Sequence, residues 1–322
     1  MNVGILGAGY IAGLLANTLN LMEGSDAYAV AARDLGKAQA FAKEYKIPHA
    51  YGSYEEMLRD PAVDLVYIAT LNFSHFEHIK LCLDHGKAIL CEKPFTLNAA
   101  QAETILNLGE QKKILITEAI WTRYMPMRKV MNEVLASGII GKSSSLMANL
   151  AYAGSHNPRL YDPALGGGAL VDMGVYAINF ALMTFGDAIK DIHSVMIPYK
   201  TGVDAQNSTT FSYTDGRIAI LHSSFLSRSD RRGTVFGDKG YIEFLNINNC
   251  QGIRVYDTND KLIASHETPK QLTGYEYQLE SCKKALREGR TECPEMPHSE
   301  TIKVMGIMDS IRKIWGFRYP GE

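Results

Sequence analysis

The sequence lacks the cysteine pattern of a disulfide-bonded or zinc-binding protein. Its 322 residues include five cysteines, an odd number spread along the chain as Cys82, Cys91, Cys250, Cys282 and Cys293. No Cys-x-x-Cys pair or Cys/His cluster occurs in the sequence, which argues against a disulfide framework and a structural zinc site. This cysteine usage predicts reduced thiols and a cytoplasmic location.

The sequence also lacks an excess of charge of one sign and any long hydrophobic run. Lys and Arg total 33 and Asp and Glu total 35, a formal charge of −2. Neither nucleic acid nor an anionic membrane is therefore expected as a partner. Apolar stretches are interrupted well short of the ~20 residues that span a bilayer, and the N-terminus shows no basic leader or cleavage site.

What is present predicts two domains of different architecture. Over residues 1–120, short apolar runs alternate with helical patterns, which predicts a Rossmann-type α/β domain with a parallel sheet. Residues 121–298 contain closely spaced strand-like runs. They predict an α+β substrate and dimerisation domain with a large, mainly antiparallel open sheet. The helix predicted over 299–315 is expected to pack back on the first domain.

A glycine-rich turn follows the first predicted strand. Gly7-Ala8-Gly9-Tyr10-Ile11-Ala12 matches G-x-G-x-x-A. The first glycine permits a tight turn, the second lets the backbone approach a pyrophosphate, and the small Ala12 allows close helix–strand packing. The N–H groups of the helix would face the phosphates. The alternative is an ordinary structural turn, but the full series of strands and helices that follows favours dinucleotide binding.

The end of the second predicted strand bears on which dinucleotide binds. An acidic residue there accepts a hydrogen bond from the ribose 2′-OH of NAD, but the sequence is Ala31-Ala32-Arg33-Asp34. Arg33 can pair with a 2′-phosphate or lie over the adenine ring. The alternative is a solvated arginine in the first turn of a helix that Asp34 caps. Arg33 and Asp34 are candidate cofactor-binding residues, and NADP is favoured over NAD.

A charged pair, Glu92-Lys93, ends the fifth predicted strand just before Pro94. Ligands of open α/β sheets bind at this edge, and Pro94 restricts Lys93 to extended geometry. A lysine beside a nicotinamide can hydrogen-bond a substrate hydroxyl or lower the pKa of a neighbouring acid/base. The alternative, a surface lysine paired with Glu92, fits the spacing equally well.

A glycine triplet at 166–168 precedes a predicted helix over about 169–185 that is apolar nearly all round. Such a helix is expected to be largely buried. Asp172, Tyr176 and Asn179 are spaced i, i+4 and i+7 and so share one face. Because buried carboxylates and phenols need partners, this stripe predicts the lining of a cleft, with Tyr176 as a candidate proton donor and acceptor. The alternative is a structural polar network between helix and sheet.

Three motifs together resemble the Gfo/Idh/MocA oxidoreductase family, named after glucose–fructose oxidoreductase, inositol dehydrogenase and MocA. They are Gly7-x-Gly9, Glu92-Lys93-Pro94 and Gly166-Gly167-Gly168-x-x-x-Asp172-x-Gly174-x-Tyr176. Two more segments are similar to the branch that contains dimeric dihydrodiol dehydrogenase and NADP-dependent xylose dehydrogenase. These are Glu118-Ala119-x-Trp121-x-Arg123-Tyr124 and Tyr161-Asp162-Pro163-x-Leu165.

The resemblance implies roles for individual residues. Lys93 would contact nicotinamide and substrate. Tyr176, where many members have histidine, would be the general acid/base, with its pKa lowered by Lys93 and with support from Asp172. Cofactor contacts are also implied for Thr70, Asn72, His75, Glu92, Trp121 and Arg123. Family members commonly dimerise through the open face of the C-terminal sheet, so a homodimer is expected.

Two histidines, His75 and His78, stand at an i, i+3 spacing that could suggest a metal site. No third ligand or metal motif accompanies them, so no metal is predicted. His75 is expected to pack on the cofactor side and His78 to lie on a solvated helix face.

These observations predict reversible hydride transfer between NAD(P)(H) and a secondary alcohol or hemiacetal carbon of a sugar, cyclitol or diol. Weaker substrate contacts are expected from His156, Asn157, Arg159 and Asn179. Two alternatives stay open. One is a sensor or regulator that binds dinucleotide without turnover, although Lys93 and the polar stripe are both retained. The other is a biliverdin-reductase-like enzyme that reduces a conjugated system.

Overall fold

The computed structural model describes residues 1–320 and residue 322, which form two compact units. The first unit comprises Met1–Tyr124 and Gln271–Met305, and the second comprises Met125–Lys270 and Gly306–Glu322. The sequence predicts that residues 271–298 belong to the second domain, whereas the structure groups them with the first unit. They pack there because the main-chain N–H of Ile116 donates to the carbonyl of Thr291 at 2.9 Å. The ring of His298 also bonds the carbonyl of Ile116 at 2.9 Å.

The first unit is built on six parallel strands, as the sequence predicts. The strands are β1 Asn2–Leu6, β2 Asp26–Ala31, β3 His49–Tyr51, β4 Leu65–Ile68, β5 Ala88–Glu92 and β6 Ile116–Ala119. Their order across the sheet is β3-β2-β1-β4-β5-β6. The helices between them are α1 Tyr10–Leu21, α2 Leu35–Tyr45, α3 Tyr54–Leu58, α4 His75–Asp84 and α5 Ala99–Lys112. Every residue of β4 and β5 is buried, as expected of parallel strands covered on both faces.

The second unit is built on eight strands. After α6 Met127–Ala136, they begin with β7 Ser143–Ala151. Two helical elements follow, α7 Pro158–Tyr161 and α8 Val175–Phe185. The other strands are β8 Ile189–Pro198, β9 Asp204–Tyr213, β10 Ile218–Ser224, β11 Gly233–Gly237, β12 Gly240–Phe244, β13 Gly252–Asp257 and β14 Leu262–Glu267. The order is β14-β13-β12-β11-β7-β10-β9-β8, antiparallel throughout except for the parallel pair β7 and β10. The predicted large, mainly antiparallel sheet is confirmed.

The core of the second unit lies between one face of this sheet and α8. The ring of Phe180 on α8 meets Phe244 edge to face with centroids 5.1 Å apart, and Phe185 meets Tyr213 in the same way at 5.6 Å. Among the described residues, one helical segment, Pro163–Phe185, is long and apolar enough to cross a membrane, and 83% of its apolar window is buried inside the protein. Core helices of globular proteins have the same character, so this segment is weak evidence for a membrane span.

The chain ends with two long helices. Helix α9 Glu276–Arg287 belongs to the first unit. Helix α10 His298–Trp315 contains the boundary between Met305 and Gly306. Its first turns, up to Met305, belong to the Rossmann-type unit. Its last turns belong to the second unit, where the indole of Trp315 donates to the hydroxyl of Ser194 at 3.0 Å.

Candidate active site

The glycine turn after β1 is shaped to receive a ligand with phosphate groups. Gly7 has φ +107°, and a Cβ added there would lie 2.8 Å from the carbonyl oxygen of Ala69, so the position requires glycine. A Cβ added at Gly9 would meet no atom of the described residues within 4 Å. Gly9 also begins α1 without a side chain that could cap the first N–H groups. This exposed helix start fits the pyrophosphate of a dinucleotide.

The rest of the turn has mixed exposure. Tyr10 is 84% exposed and Ala12 is fully buried, while Ala8 and Ile11 are half-buried. The burial of Ala12 agrees with the expected close packing of α1 on the sheet.

Arg33 and Asp34 follow β2 and differ in how they are engaged. The Asp34 carboxylate accepts the main-chain N–H of Lys37 at 2.7 Å and so caps α2. The helix-cap alternative for Asp34 is therefore confirmed. Arg33 is exposed at the same strand end. A ligand at this strand end would therefore meet a guanidinium, because the Asp34 carboxylate already bonds the main chain of α2.

The segment after β4 is held by His75, which is fully buried. Its Nδ1 lies 2.9 Å from the carbonyl oxygen of Pro94 and its Nε2 lies 3.2 Å from that of Thr70. Burial lowers the pKa of His75, so the ring is neutral at pH 7. His75 therefore links the segments that follow β4 and β5. Asn72, in the turn Asn72–Ser74, is also buried.

His78 does not lie on a solvated helix face, and that expectation is wrong. Its side chain is half-buried, and Nδ1 lies 2.9 Å from the hydroxyl of Thr70. Burial and the neighbouring His75 lower the pKa of His78 to about 4, so it too is neutral at pH 7. Among the described residues, no group of three or more His, Cys, Asp or Glu side chains is arranged to hold a metal ion.

Lys93 follows β5 and is half-buried. Its main-chain N–H donates to Oε2 of Glu92 at 3.2 Å, and the hydroxyl of Tyr67 donates to Oε1 of the same carboxylate in a short hydrogen bond. Glu92 is buried, so these two bonds fix the chain direction at Lys93. The bond between Lys93 and Pro94 is cis. Because β1 and β5 are parallel strands of one sheet, Lys93 and the glycine turn lie at the same edge.

Trp121 lies in the turn after β6 and is anchored by a distant residue. Its ring stacks on Tyr275 with centroids 4.3 Å apart and planes 8° from parallel. The sequence reasoning missed Tyr275 because more than 150 residues separate the partners, and nothing in the local pattern marks the pair.

Arg123 is buried in the first unit. Its side chain is 1% exposed, and Nη2 lies 2.8 Å from Oε2 of Glu300 on α10. Glu118 is buried nearby, and burial raises its pKa to about 7 against the opposing effects of the Thr301 hydroxyl and the Arg123 charge. Arg123 is therefore a charge partner within the protein, in addition to any contact with a cofactor that the resemblance implies.

The glycine triplet of the second unit lets a buried carboxylate cap a helix. Gly168 has φ +140°, and an added Cβ would lie 2.5 Å from Oδ1 of Asp204. Asp204 accepts the main-chain N–H of Leu170 at 2.8 Å and the amide of Asn207 at 2.7 Å. Burial raises the pKa of Asp204 to about 7. The sequence reasoning missed Asp204, which is 36 residues further along the chain.

The helix predicted over 169–185 is not uniform. Residues Leu170–Gly174 form a π-helical turn before α8, a rare geometry that is frequent at functional sites. Four residues are close to one turn in either geometry, so Asp172 and Tyr176 still lie on the same side. Tyr176 is 8% exposed, and Asn179 is fully buried, with its amide donating to the carbonyl of Val175 at 2.8 Å. The amide of Asn179 therefore bonds its own helix.

The loop before the glycine triplet brings one of its predicted substrate residues to the helix. Nη1 of Arg159 lies 3.0 Å from Oδ1 of Asp172. Asn157 is exposed, and its side chain accepts the main-chain N–H of Arg159 at 3.1 Å, which caps α7. His156 is exposed as well. The structure thus joins Arg159 to Asp172 and leaves His156 at the surface.

Comparison with known proteins agrees with this geometry. Residues 1–119 match the family described as an oxidoreductase family with an NAD-binding Rossmann fold, and residues 129–243 match the Gfo/Idh/MocA C-terminal domain. The chain is 34% identical to human trans-1,2-dihydrobenzene-1,2-diol dehydrogenase, over 99% of this chain and 98% of that protein. It is 32% identical to the same enzyme of Xenopus tropicalis, over 98% of each.

Solved structures share the fold. A 3-ketoreductase from Actinomadura kijaniata, in complex with NADP and TDP-benzene, superposes with a TM-score of 0.88 at 22% identity, covering 97% of each chain. Aldose-aldose oxidoreductase from Caulobacter crescentus gives 0.86 at 21% identity, covering 98% of this chain and 97% of that one. The resemblance inferred from the motifs is confirmed, and the chain belongs to the Gfo/Idh/MocA family of NAD(P)-dependent oxidoreductases.

Proposed function

We propose that the protein is an NADP-dependent dehydrogenase that acts on the secondary alcohol or hemiacetal carbon of a diol, sugar or cyclitol. Relatives at 32–34% identity carry the name of a diol dehydrogenase, and they support this substrate class. The structural neighbours include an oxidoreductase of aldoses.

The described residues fit a dinucleotide. Gly7 and Gly9 form a turn that admits phosphate groups at the start of α1. When bound, NADP(H) supplies or accepts the hydride at its nicotinamide ring. Arg33 is the residue proposed to favour NADP over NAD, since Asp34 is committed to capping α2. Thr70, Asn72, Glu92 and Trp121 are proposed as further contacts.

Tyr176 is proposed as the acid/base. Its hydroxyl takes the proton of the substrate alcohol in oxidation and returns it in reduction, assisted by the ammonium group of Lys93. Asp172 and Arg159 form an ion pair and are proposed to orient the substrate hydroxyls through charge-assisted hydrogen bonds.

The observation that carries the proposal is the placement of Lys93 at the same sheet edge as the glycine turn. Both lie at the carboxyl edge of the parallel sheet, where ligands of such folds bind. Glu92 and Tyr67 fix the chain there by hydrogen bonds within the buried layer. A lysine with only a surface role would not require buried hydrogen bonds to hold its strand end.

The test is a titration of the purified protein with NADP and NAD, followed by a panel of trans-diols, aldoses and inositols monitored by absorbance of the reduced cofactor. We expect tighter binding of NADP, turnover of at least one panel class, and loss of turnover in Lys93→Met and Tyr176→Phe with the dinucleotide still bound. Binding without turnover on the whole panel would favour the sensor alternative, and absence of binding would contradict the proposal.

We also propose that the protein is a homodimer that uses the open face of the second sheet. That face carries exposed apolar side chains, among them Met147, Val195 and Ile220, and Met147 and Ile220 are direct neighbours across β7 and β10. Contiguous exposed apolar surface marks interaction sites.

Light scattering during gel filtration tests the dimer, with an expected mass of twice 35.6 kDa. Ile220→Asp should yield the monomer mass. Leu272→Asp is the control, since Leu272 is an equally apolar, 50% exposed residue of the first unit. A monomeric wild type would contradict the dimer.

We further propose a cytoplasmic location, in keeping with the five free cysteines.

A further inference from the structure

A connected row of polar side chains runs from the glycine turn along the edge of the Rossmann-type sheet. It begins at Thr70, whose Cγ2 would lie 3.3 Å from a Cβ added at Gly7. The hydroxyl of Thr70 lies 2.9 Å from Nδ1 of His78 on α4. If the hydroxyl donates to Nδ1, the neutral ring carries its proton on Nε2 and remains a donor there.

The row continues from His78 to Tyr54. Their rings meet edge to face, with centroids 4.9 Å apart and planes at 80°. Tyr54 begins α3, directly after β3, whereas His78 lies on α4, after β4. Since β2 and β1 lie between β3 and β4 in the sheet, this contact spans the strand ends that carry the glycine turn and Arg33.

The positive charge of Arg33 acts on both Tyr54 and His78. Burial raises the pKa of Tyr54, and the positive charge of Arg33 opposes that rise. The same charge contributes to the lowered pKa of His78, after burial and His75, while Glu55 acts in the opposite direction. The guanidinium therefore lies within electrostatic range of both rings.

We infer that Tyr54 and His78, together with Arg33, form the subsite for the 2′-phosphorylated adenosine half of NADP and determine the preference for it over NAD. A phosphate needs a cation and hydrogen-bond donors. Arg33 supplies the cation, and the Tyr54 hydroxyl and the His78 N–H supply neutral donors. A bare ribose 2′-OH would instead favour an uncommitted carboxylate, and Asp34 is engaged with Lys37. This inference rests on the proposed use of NADP.

The test uses the full chain and two fragments of the cofactor, adenosine 2′,5′-bisphosphate and adenosine 5′-monophosphate. Isothermal titration gives the affinity for each in the wild type, Arg33→Ala, Tyr54→Phe and His78→Phe. His78→Gln is added as a second variant, because its amide can still donate. Lys80→Ala is the control, an exposed cation on the same helix as His78.

We expect the wild type to prefer the bisphosphate. Tyr54→Phe and His78→Phe should each weaken its binding by about tenfold, the usual size for a lost hydrogen bond to a charged group. Binding of the monophosphate should change by less than about twofold. His78→Gln should recover part of the loss, and Lys80→Ala should match the wild type.

Three results would contradict this inference. If Arg33→Ala loses the bisphosphate while both ring variants bind it normally, the role of Tyr54 and His78 is overturned and the use of NADP stands. If the ring variants lose affinity for both fragments equally, Tyr54 and His78 contact the adenosine and not its 2′-phosphate. That result also overturns the inference. If the wild type binds the two fragments equally, the proposed NADP preference fails with it.

Discussion

Arg159 and Asp172 form an ion pair with 3.0 Å between Nη1 and Oδ1, and Asp172 lies in the π-helical turn that leads to Tyr176. Neither side chain is fully withdrawn from solvent, since Arg159 is 42% exposed and Asp172 15%. Such a pair contributes little to the free energy of unfolding. Because the pair lies one turn before the proposed acid/base, we propose that it takes part in substrate binding.

Replacing Arg159 by alanine should therefore separate activity from stability. We expect kcat/KM to fall by about tenfold or more, as for other charge-assisted contacts, and the free energy of unfolding to change by at most about 1 kcal/mol. Arg232→Ala is the matched control, because its pair with Glu243 has a distance of 2.8 Å and exposures of 43% and 16%. Equal losses of kcat/KM in both variants would argue against a role for Arg159 at the substrate.

The two glycines of the nucleotide turn should respond differently to alanine. Gly9→Ala meets open space at a φ of −107°, so stability should stay within about 0.5 kcal/mol of wild type. NADP affinity should fall, since the new methyl group occupies the space of the phosphates. Gly7→Ala should lose about 1–3 kcal/mol of stability from its left-handed backbone and the contact with Ala69.

Urea unfolding and NADP titration of both variants check this contrast. Wild-type NADP affinity in Gly9→Ala would contradict the proposed binding of the phosphates at this turn.

The buried carboxyl of Glu118 predicts a pH-dependent stability. Its pKa is raised from 4.5 to about 7, chiefly by burial. The folded protein thus keeps a proton that the unfolded chain releases near pH 4.5, so this contribution to stability is complete below that pH and is lost as pH rises through about 7. The total is on the order of 3 kcal/mol.

Glu118→Gln removes the titration while keeping the side-chain shape. The difference in unfolding free energy between Glu118→Gln and wild type should grow between pH 4.5 and 7, in favour of the variant. Glu103→Gln, an exposed substitution on α5, should show no such trend. A difference that is constant with pH would show that Glu118 ionises at its usual value.

Fluorescence can report whether Trp121 contacts the cofactor. The chain has two tryptophans, Trp121 and Trp315, and Trp121 is 9% exposed and stacked on Tyr275. We expect NADPH to quench wild-type tryptophan emission and Trp121→Phe to lose most of that change. Trp315→Phe should retain it, and the reverse pattern would place Trp121 away from the bound cofactor.

Local pattern was sufficient for the parallel sheet, the glycine turn and the helix cap at Asp34, because each depends on neighbours in sequence. The same pattern placed His78 in solvent, since the spacing of a helix face does not reveal that Thr70 and Tyr54 cover it. The π turn at Leu170–Gly174 was missed, as was Asp204, which accepts the Leu170 N–H from β9, 34 residues further along the chain. Glu300 and Tyr275 were missed for the same reason: ion pairs and ring stacks between distant segments leave no periodic signal.

The most direct test of the account is a single-turnover measurement of hydride transfer with NADP-saturated protein and the best substrate of the panel. Tyr176→Phe keeps the ring and removes the hydroxyl, so NADP affinity should stay within about threefold of wild type. The hydride-transfer rate should fall by about 100-fold or more, the size typical of a lost acid/base. A Tyr176→Phe protein that transfers hydride at the wild-type rate would contradict the central claim.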